Sequence, residues 1–134
     1  MPNQGNQFIV ALKETHIGWG TYRYTDSRPQ IEGECYIPIP SLVAHQYGIF
    51  NSIHTQGRDI LGQNIFNAPS TDGYFDGVVK ASGNSQGGDP YAKNLSGQGN
   101  LRAFNNWFNK MNVTVGTKIK VEWISSNDII FTIL

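Results

Sequence analysis

Residues 118–134, KIKVEWISSNDIIFTIL, carry the clearest structural pattern in the chain. In the first part of this stretch Ile119, Val121 and Trp123 alternate with charged residues, which is typical of a strand with one buried face. Residues 125–128 predict a turn, and the apolar residues 129–134 predict a second strand. Because so apolar a strand would promote aggregation at an exposed edge, we expect it to lie centrally or to close a barrel.

The rest of the chain also divides into short segments, which Gly, Pro and Asn separate. The pattern predicts strands over residues 8–13, 35–39, 49–56 and 74–82, with shorter strands near 64–66 and 92–95. The total is about seven strands. We therefore expect a mainly β fold with two short helices, in a single domain over residues 1–134.

Two segments predict the helices. Residues 41–47 follow Pro40, start with Ser41 as a candidate N-cap and end before Gly48. Behind Asn100, apolar residues recur at helical spacing over residues 101–111. We expect this second helix to pack its aromatic face, Phe104, Trp107 or Phe108, against the sheet.

Composition excludes several classes of protein. The 134 residues include 39% hydrophobic residues and no apolar run near the roughly 20 residues that cross a bilayer. Residues 1–7 are polar and uncharged, unlike a signal peptide, so we expect a cytoplasmic protein without a membrane partner. The single cysteine, Cys35, excludes an internal disulfide.

Charge is distributed unevenly along the chain. Residues 1–76 hold four Lys and Arg against seven Asp and Glu, whereas residues 77–120 hold six against one. The formal net charge is nevertheless zero. A local positive excess favours a polyanionic partner, but an ordinary solvated surface explains it as well.

Patterns that indicate catalysis are weak. The candidate residues are His16, His45, His54, Cys35, Asp72, Asp76 and Lys80. The histidines lack the spacing of metal ligands, and the cysteine lies in an apolar alternation that predicts burial. The carboxylates lack the carboxylate-x-Lys tripeptide of metal-dependent nucleases. We therefore expect no catalytic residues, no metal and no cofactor, and a small enzyme of unknown type is the third alternative.

Two polar loops carry the chemistry of recognition. The first, residues 18–29 (GWGTYRYTDSRP), interleaves aromatic residues with two arginines, and the second, residues 82–100, places amides in a glycine-rich backbone. Amides pair with adenine, Arg and Lys with guanine, and Asp accepts from cytosine, so both loops suit readout of the major groove. The same composition fits a carbohydrate-binding β-sandwich module, with Trp19, Tyr22 or Tyr91 as the ring on which a sugar stacks. It also fits ordinary loops with no role in recognition.

Two motifs resemble the NWG…EAYIPIP signature of the DNA-recognition domains of BfiI-type and related restriction endonucleases: Gly18-Trp19-Gly20 and Glu34-Cys35-Tyr36-Ile37-Pro38-Ile39-Pro40. Those domains are B-three-like, open seven-stranded pseudobarrels, a class shared with plant transcription factors and the EcoRII effector domain. In them, the loop between the first two strands and the loop between the fourth and fifth form two arms that clamp the major groove.

The resemblance implies sequence-specific binding of double-stranded DNA by a target-recognition or effector module of a restriction-modification endonuclease, with any nuclease in another domain or subunit. Residues expected to contact phosphates or read guanines are Arg23, Arg28, Lys80, Lys93 and Arg102. Residues expected to meet base edges are Asn84, Gln86, Asp89, Tyr91 and Asn94. The predicted DNA-binding set also includes Trp19, Thr21, Tyr22 and Ser82, and Trp19 has the alternative role of covering the barrel mouth.

We expect the loops 18–30 and 82–98 to lie on one side of the barrel, near enough to span a major groove about 12 Å wide. Glycine-rich loops with few apolar anchors are also expected to be weakly held without DNA.

Overall fold

The computed structural model describes residues 2–17, 35–83 and 88–134. The strands are β1 Gln7–Ala11, β2 Ile37–Pro38, β3 Ile65–Pro69, β4 Asp76–Ser82, β5 Asn94–Gly97, β6 Lys118–Trp123 and β7 Ile129–Ile133. The helical segments are α1 Glu14–Ile17, α2 Ser41–Tyr47 and α3 Asn105–Lys110, of which α1 is a single turn. This part of the chain is mainly β, as the sequence pattern predicts. None of these helices is long and apolar enough to cross a membrane.

The strands form two antiparallel sheets, with the orders β1-β6-β7 and β2-β5-β4-β3. Strand β7 is the last in its sheet but lies beside β3, where isolated parallel bridges join Asn67 to Asp128 and Ser70 to Phe131. The C-terminal strand is therefore not central in its own sheet, as one alternative of the prediction had it, and its outer side meets β3 through these isolated bridges. No ladder joins β1 to β2 in the described residues, so the two sheets are not joined there.

A core of aliphatic and aromatic side chains fills the space between the two sheets. Ile119, Val121 and Trp123 of β6 are fully buried, as their alternation predicts. The predicted face of the C-terminal helix is also correct, because Trp107 and Phe108 of α3 and the preceding Phe104 are all buried. Both elements could be predicted because their buried residues recur with the period of a strand in β6 and of a helix in α3.

The predicted strand over residues 49–56 is wrong. Phe50 forms only one bridge, to Tyr91, and residues 52–57 form turns. The cause is Asn51, whose Oδ1 accepts a hydrogen bond from the backbone N–H of Ile53 at 2.8 Å. This contact makes an Asx turn, which takes a backbone donor away from strand pairing. Gln56 then has a φ of 55°, outside the β region.

The other element boundaries differ less from the predictions. Helix α2 has the predicted range and ends at Gly48 with a φ of 69°, but its N-cap is Pro40 rather than Ser41. The predicted strand at 92–95 is shifted to Asn94–Gly97. Helix α3 begins later than predicted, because the side chain of Asn100 accepts from the N–H of Arg102 at 3.0 Å and residues 101–104 form turns.

Asp72 ties the β3–β4 turn to α3. Its Oδ1 accepts from the N–H of Tyr74 at 2.9 Å and from the hydroxyl of Ser70, and its Oδ2 accepts from the indole N–H of Trp107 at 2.9 Å. Partial burial raises the pKa of Asp72, but the hydrogen bonds from Ser70, Trp107 and Tyr74 outweigh it and hold this pKa below its ordinary value. Asp72 therefore has a structural role.

This arrangement predicts a pH-dependent effect of Asp72→Asn. A carboxylate with a depressed folded-state pKa stabilises the fold above its unfolded pKa, and the contribution is lost as pH falls through the folded value. We expect the free energy of unfolding of the variant to be about 1–2 kcal/mol below that of the parent at pH 7. This difference should shrink below about pH 4. Urea unfolding of both proteins at pH 7 and pH 3 measures this, and an equal difference at both pH values would contradict the assignment.

Candidate nucleic-acid interface

A buried amide anchors the base of the β4–β5 loop, residues 83–93. Asn51 is 1% exposed, and its Nδ2 donates to the carbonyl oxygens of Gly83 and Asp89, both at 2.8 Å. Gly83 begins the loop and Asp89 lies in its second half, so one side chain joins the start of the loop to its second half. Sequence reasoning missed this role, although an Asn inside an apolar segment is a signal for it, since buried polar groups are almost always hydrogen-bonded.

Backbone contacts hold the second half of the loop against both neighbouring strands. The N–H of Lys93 donates to the Ser82 carbonyl at 2.8 Å, and the Lys93 carbonyl accepts from the N–H of Ile39 at 2.7 Å. Asp89 Oδ1 accepts from the N–H of Tyr91 at 2.9 Å. The expected weak hold therefore does not apply to residues 88–93.

Gly83 allows the two ends of the loop to approach. Its φ is 100°, and a Cβ there would lie 3.1 Å from the Cβ of Lys93 and 3.3 Å from Nδ2 of Asn94. A side chain at this position would be strained and crowded. The sharp bend keeps Lys93 and Asn94 directly beside the end of β4.

Aromatic rings attach the loop to the rest of the domain. The Tyr91 ring stacks on His45 of α2 with a centroid distance of 3.9 Å and lies 5.5 Å from the ring of Phe50. Phe50 in turn stacks on His54 at 3.7 Å. Tyr91 is half-buried, and its ring serves packing rather than an open stacking platform.

A cleft of about 310 Å³ lies between the loop and α2. Four of the predicted DNA-binding residues line it, together with Ser41 and His45: Asp89, Tyr91, Lys93 and Asn94. The Lys93 side chain is exposed there and forms no ion pair with any residue that the structure describes.

A polar face, which we define as Lys80, Ser82, Asn94 and Ser96, runs from this loop across β4 and β5; the first three are half-buried, and Ser96 is buried. Ser82 is paired with Asn94, and Lys80 with Ser96, so all four side chains point to the same side. The opposite side of the same strands carries buried apolar residues, which belong to the core. The register thus brings together Lys80, Ser82 and Asn94, which the sequence predicted separately.

Lys80 is neutralised within the fold. Its Nζ lies 3.0 Å from Oδ1 of Asp59, and Oδ2 of Asp59 accepts from the side-chain amide of Gln98 at 3.0 Å. These hydrogen bonds, first from Lys80 and then from Gln98, hold the pKa of Asp59 below its usual range. The cation predicted to contact phosphate therefore has a carboxylate beside it.

Arg102 lies beyond the other end of β5 from the β4–β5 loop. It follows Leu101, whose carbonyl accepts from the N–H of Cys35 at 3.1 Å. The thiol of Cys35 donates to the carbonyl of Ile17 at 3.2 Å, so the residues that flank 18–34 meet here. From Cys35 to Ile39, which contacts Lys93, the chain spans about 13 Å at roughly 3.3 Å per residue.

Half of the predicted set cannot be placed. Seven residues lie outside the described ranges: Trp19, Thr21, Tyr22, Arg23, Arg28, Asn84 and Gln86. They include both arginines of the first loop.

Metal-binding chemistry is not evident in the part of the chain that the structure describes, which contains no group of three or more His, Cys, Asp or Glu residues suited to an ion. Burial lowers the pKa of His16, and nearby Lys13 lowers it further. The ring Nδ1 of His16 accepts from the backbone N–H of Lys13 at 2.9 Å, which gives this histidine a local structural role. Cys35 is buried, as its apolar alternation predicts.

A second groove, of about 340 Å³, lies between the start of β4 and α3. The exposed ring of Tyr74 borders it, with Lys110 Nζ 5.2 Å from the ring centroid. The amides of Gln98, Asn100 and Asn106 line the same groove. An aromatic ring beside several amides is the chemistry that a sugar ligand needs.

Comparisons with protein-family models, curated proteins and solved structures found no match to this chain.

Proposed function

We propose that the protein is a recognition domain for double-stranded DNA with an open pseudobarrel fold. It would serve as the target-recognition module of a restriction-modification endonuclease, with the nuclease in another domain or subunit. The strand sequence β1-β6-β7-β3-β4-β5-β2, open between β1 and β2, supports this fold. The two connections that form arms in the family with the resembling motifs, β1–β2 and β4–β5, are here residues 12–36 and 83–93.

The observation that carries the proposal is the spacing of these two connections. Cys35, where the described chain resumes after residues 18–34, and Ile39, which bonds to Lys93 at the end of the second connection, are four residues apart, about 13 Å when extended. A B-DNA major groove is about 12 Å wide, so this separation suits contacts from both connections within one groove. The first connection holds enough residues to fold back over that distance, since an extended chain spans about 3.3 Å per residue.

The contacts of the described residues support a different role for each of several predicted ones. Lys93 and Asn94 are the base-reading candidates, because their side chains line the cleft and backbone hydrogen bonds hold Lys93 in place. Arg102, exposed at the other end, is a phosphate-binding candidate. Asp89 and Tyr91 act mainly by holding the loop, through the hydrogen bonds and ring contacts described above.

Lys93→Ala tests this assignment. If Lys93 reads a base, the change costs about 1–3 kcal/mol on the cognate site and little on a random duplex. Fluorescence anisotropy titrations on both duplexes measure the two affinities. Lys118→Ala is the matched control, because it removes an exposed lysine from β6, away from the polar face. Equal losses on both duplexes would make Lys93 an anchor rather than a reader.

The second candidate function is carbohydrate binding, and the Tyr74 groove favours it. Salt distinguishes the two functions, because DNA binding through several phosphates weakens steeply with ionic strength and sugar binding barely changes. Tyr74→Ala would abolish sugar binding at this groove and leave DNA binding unchanged.

A further inference from the structure

We propose that Asp59 is a specificity-determining residue that competes with DNA phosphates for Lys80 and so suppresses binding to non-cognate duplexes. This inference rests on the proposed function. Asp59 lies on the connection between α2 and β3, yet its carboxylate reaches the polar face on β4 and β5 through Lys80 and Gln98. Nothing in the local sequence around residue 59 indicates a role in recognition.

The fold holds Asp59 in this position from both sides. Asn64 is fully buried; its Nδ2 donates to the carbonyl of Arg58 at 3.2 Å, and its Oδ1 accepts from the N–H of Ile60 at 2.8 Å. The residues immediately before and after Asp59 are therefore fixed by one buried amide. The carboxylate is presented to Lys80 by the backbone, without relying on a flexible loop.

The ion pair is open to exchange. The Lys80 and Asp59 side chains keep 33% and 40% of their exposure, and exposed ion pairs add little to folding stability. Stability alone thus gives no reason for a carboxylate at this position. A DNA phosphate that approaches Lys80 competes with the Asp59 carboxylate for the Lys80 ammonium group. The phosphate must displace that carboxylate or bind beside it against their mutual repulsion.

This competition separates cognate from non-cognate DNA. Non-specific binding comes almost entirely from phosphate contacts, so a masked Lys80 weakens it directly. In the cognate complex the base contacts of Lys93 and Asn94 fix the duplex on the polar face, which holds a phosphate close enough to replace Asp59. The Asp59 carboxylate therefore lowers the affinity for random DNA more than the affinity for the target site.

Asp59→Asn tests the inference, with Glu122→Gln as the matched control. Glu122 also pairs with a lysine, Lys120 at 3.8 Å, and is 37% exposed, but it lies on β6 in the other sheet. Both variants remove one negative charge, so a general charge effect appears in both. The double variant Asp59→Asn/Lys80→Gln shows whether the effect passes through Lys80.

The readout is the affinity for a random-sequence duplex and for the selected site at two salt concentrations. For Asp59→Asn we expect random-duplex affinity to rise about three- to tenfold at low salt and the salt slope to steepen by about 0.9. Affinity for the selected site rises less, so the ratio between the two sites falls. Glu122→Gln changes random-duplex affinity less than about twofold, and the double variant returns to the parent value.

Two results would overturn the inference while leaving the proposed function intact. In the first, the parent protein binds DNA, and the affinities of Asp59→Asn are the same as those of Glu122→Gln. In the second, the increase in random-duplex affinity persists in the double variant. Absence of duplex binding by the parent would refute the proposed function itself. Unfolding midpoints of all variants, expected to match the parent closely, show that each result concerns binding.

Discussion

Replacing Phe104 by alanine is expected to lower the free energy of unfolding by about 3–5 kcal/mol. Phe104 is completely buried between the sheets and α3. Its ring lies 4.9 to 5.9 Å from the rings of Phe75, Trp107, Phe108 and Phe131. Removing it leaves a cavity surrounded by rigid rings that cannot collapse to fill the space.

Urea unfolding followed by tryptophan fluorescence measures this loss. Asn109→Ala provides the control, because Asn109 is exposed on the same helix and the change is expected to cost less than about 0.5 kcal/mol. A loss below about 1 kcal/mol for Phe104→Ala would show that α3 does not pack as described.

Asn51→Ala is expected to have the second largest effect, a loss of about 2–4 kcal/mol in unfolding free energy. The change leaves the carbonyls of Gly83 and Asp89 and the N–H of Ile53 without the partner that now satisfies them. Because Asn51 joins the start of the β4–β5 loop to its second half, we also expect faster amide hydrogen exchange in residues 88–93 and weaker binding to a cognate duplex.

Two further variants define the origin of this effect. Asn51→Asp keeps the shape but cannot donate to the two carbonyls, so it should be as damaging as the alanine variant. Asn67→Ala removes an exposed amide that donates to Asp128 at 3.1 Å, and it should cost less than about 1 kcal/mol. Unchanged stability and unchanged exchange in Asn51→Ala would remove Asn51 from the account of the loop.

The sequence predicted elements whose side chains repeat with a fixed period. The alternation in β6 and the apolar face of α3 are local properties, and both are confirmed. The segment 49–56 has the composition of a strand, but the Asn51 side chain accepts from the N–H of Ile53 in a turn and donates to carbonyls of Gly83 and Asp89. Strand propensity within the segment does not identify these distant acceptors.

The candidate site was predictable only in part, for a similar reason. The sequence identified Lys80 and Arg102 as cations for phosphates or guanines, but β5 runs away from the β4–β5 loop before the chain reaches Arg102. The pairing of Lys80 with Asp59 depends on a contact between residues far apart in the chain. The sequence identified the charge and type of the candidate residues, whereas their positions on the sheet depend on how the strands pair.

The central claim, sequence-specific binding of duplex DNA, is tested most directly by selection from a pool of randomised duplexes with the parent protein, followed by titration of the enriched duplex at several salt concentrations. We predict enrichment of one short site, an affinity for it at least about a thousandfold above that for random duplex, and a steep loss of affinity as salt increases. A pool that stays random, with no duplex binding at low salt, would contradict the account.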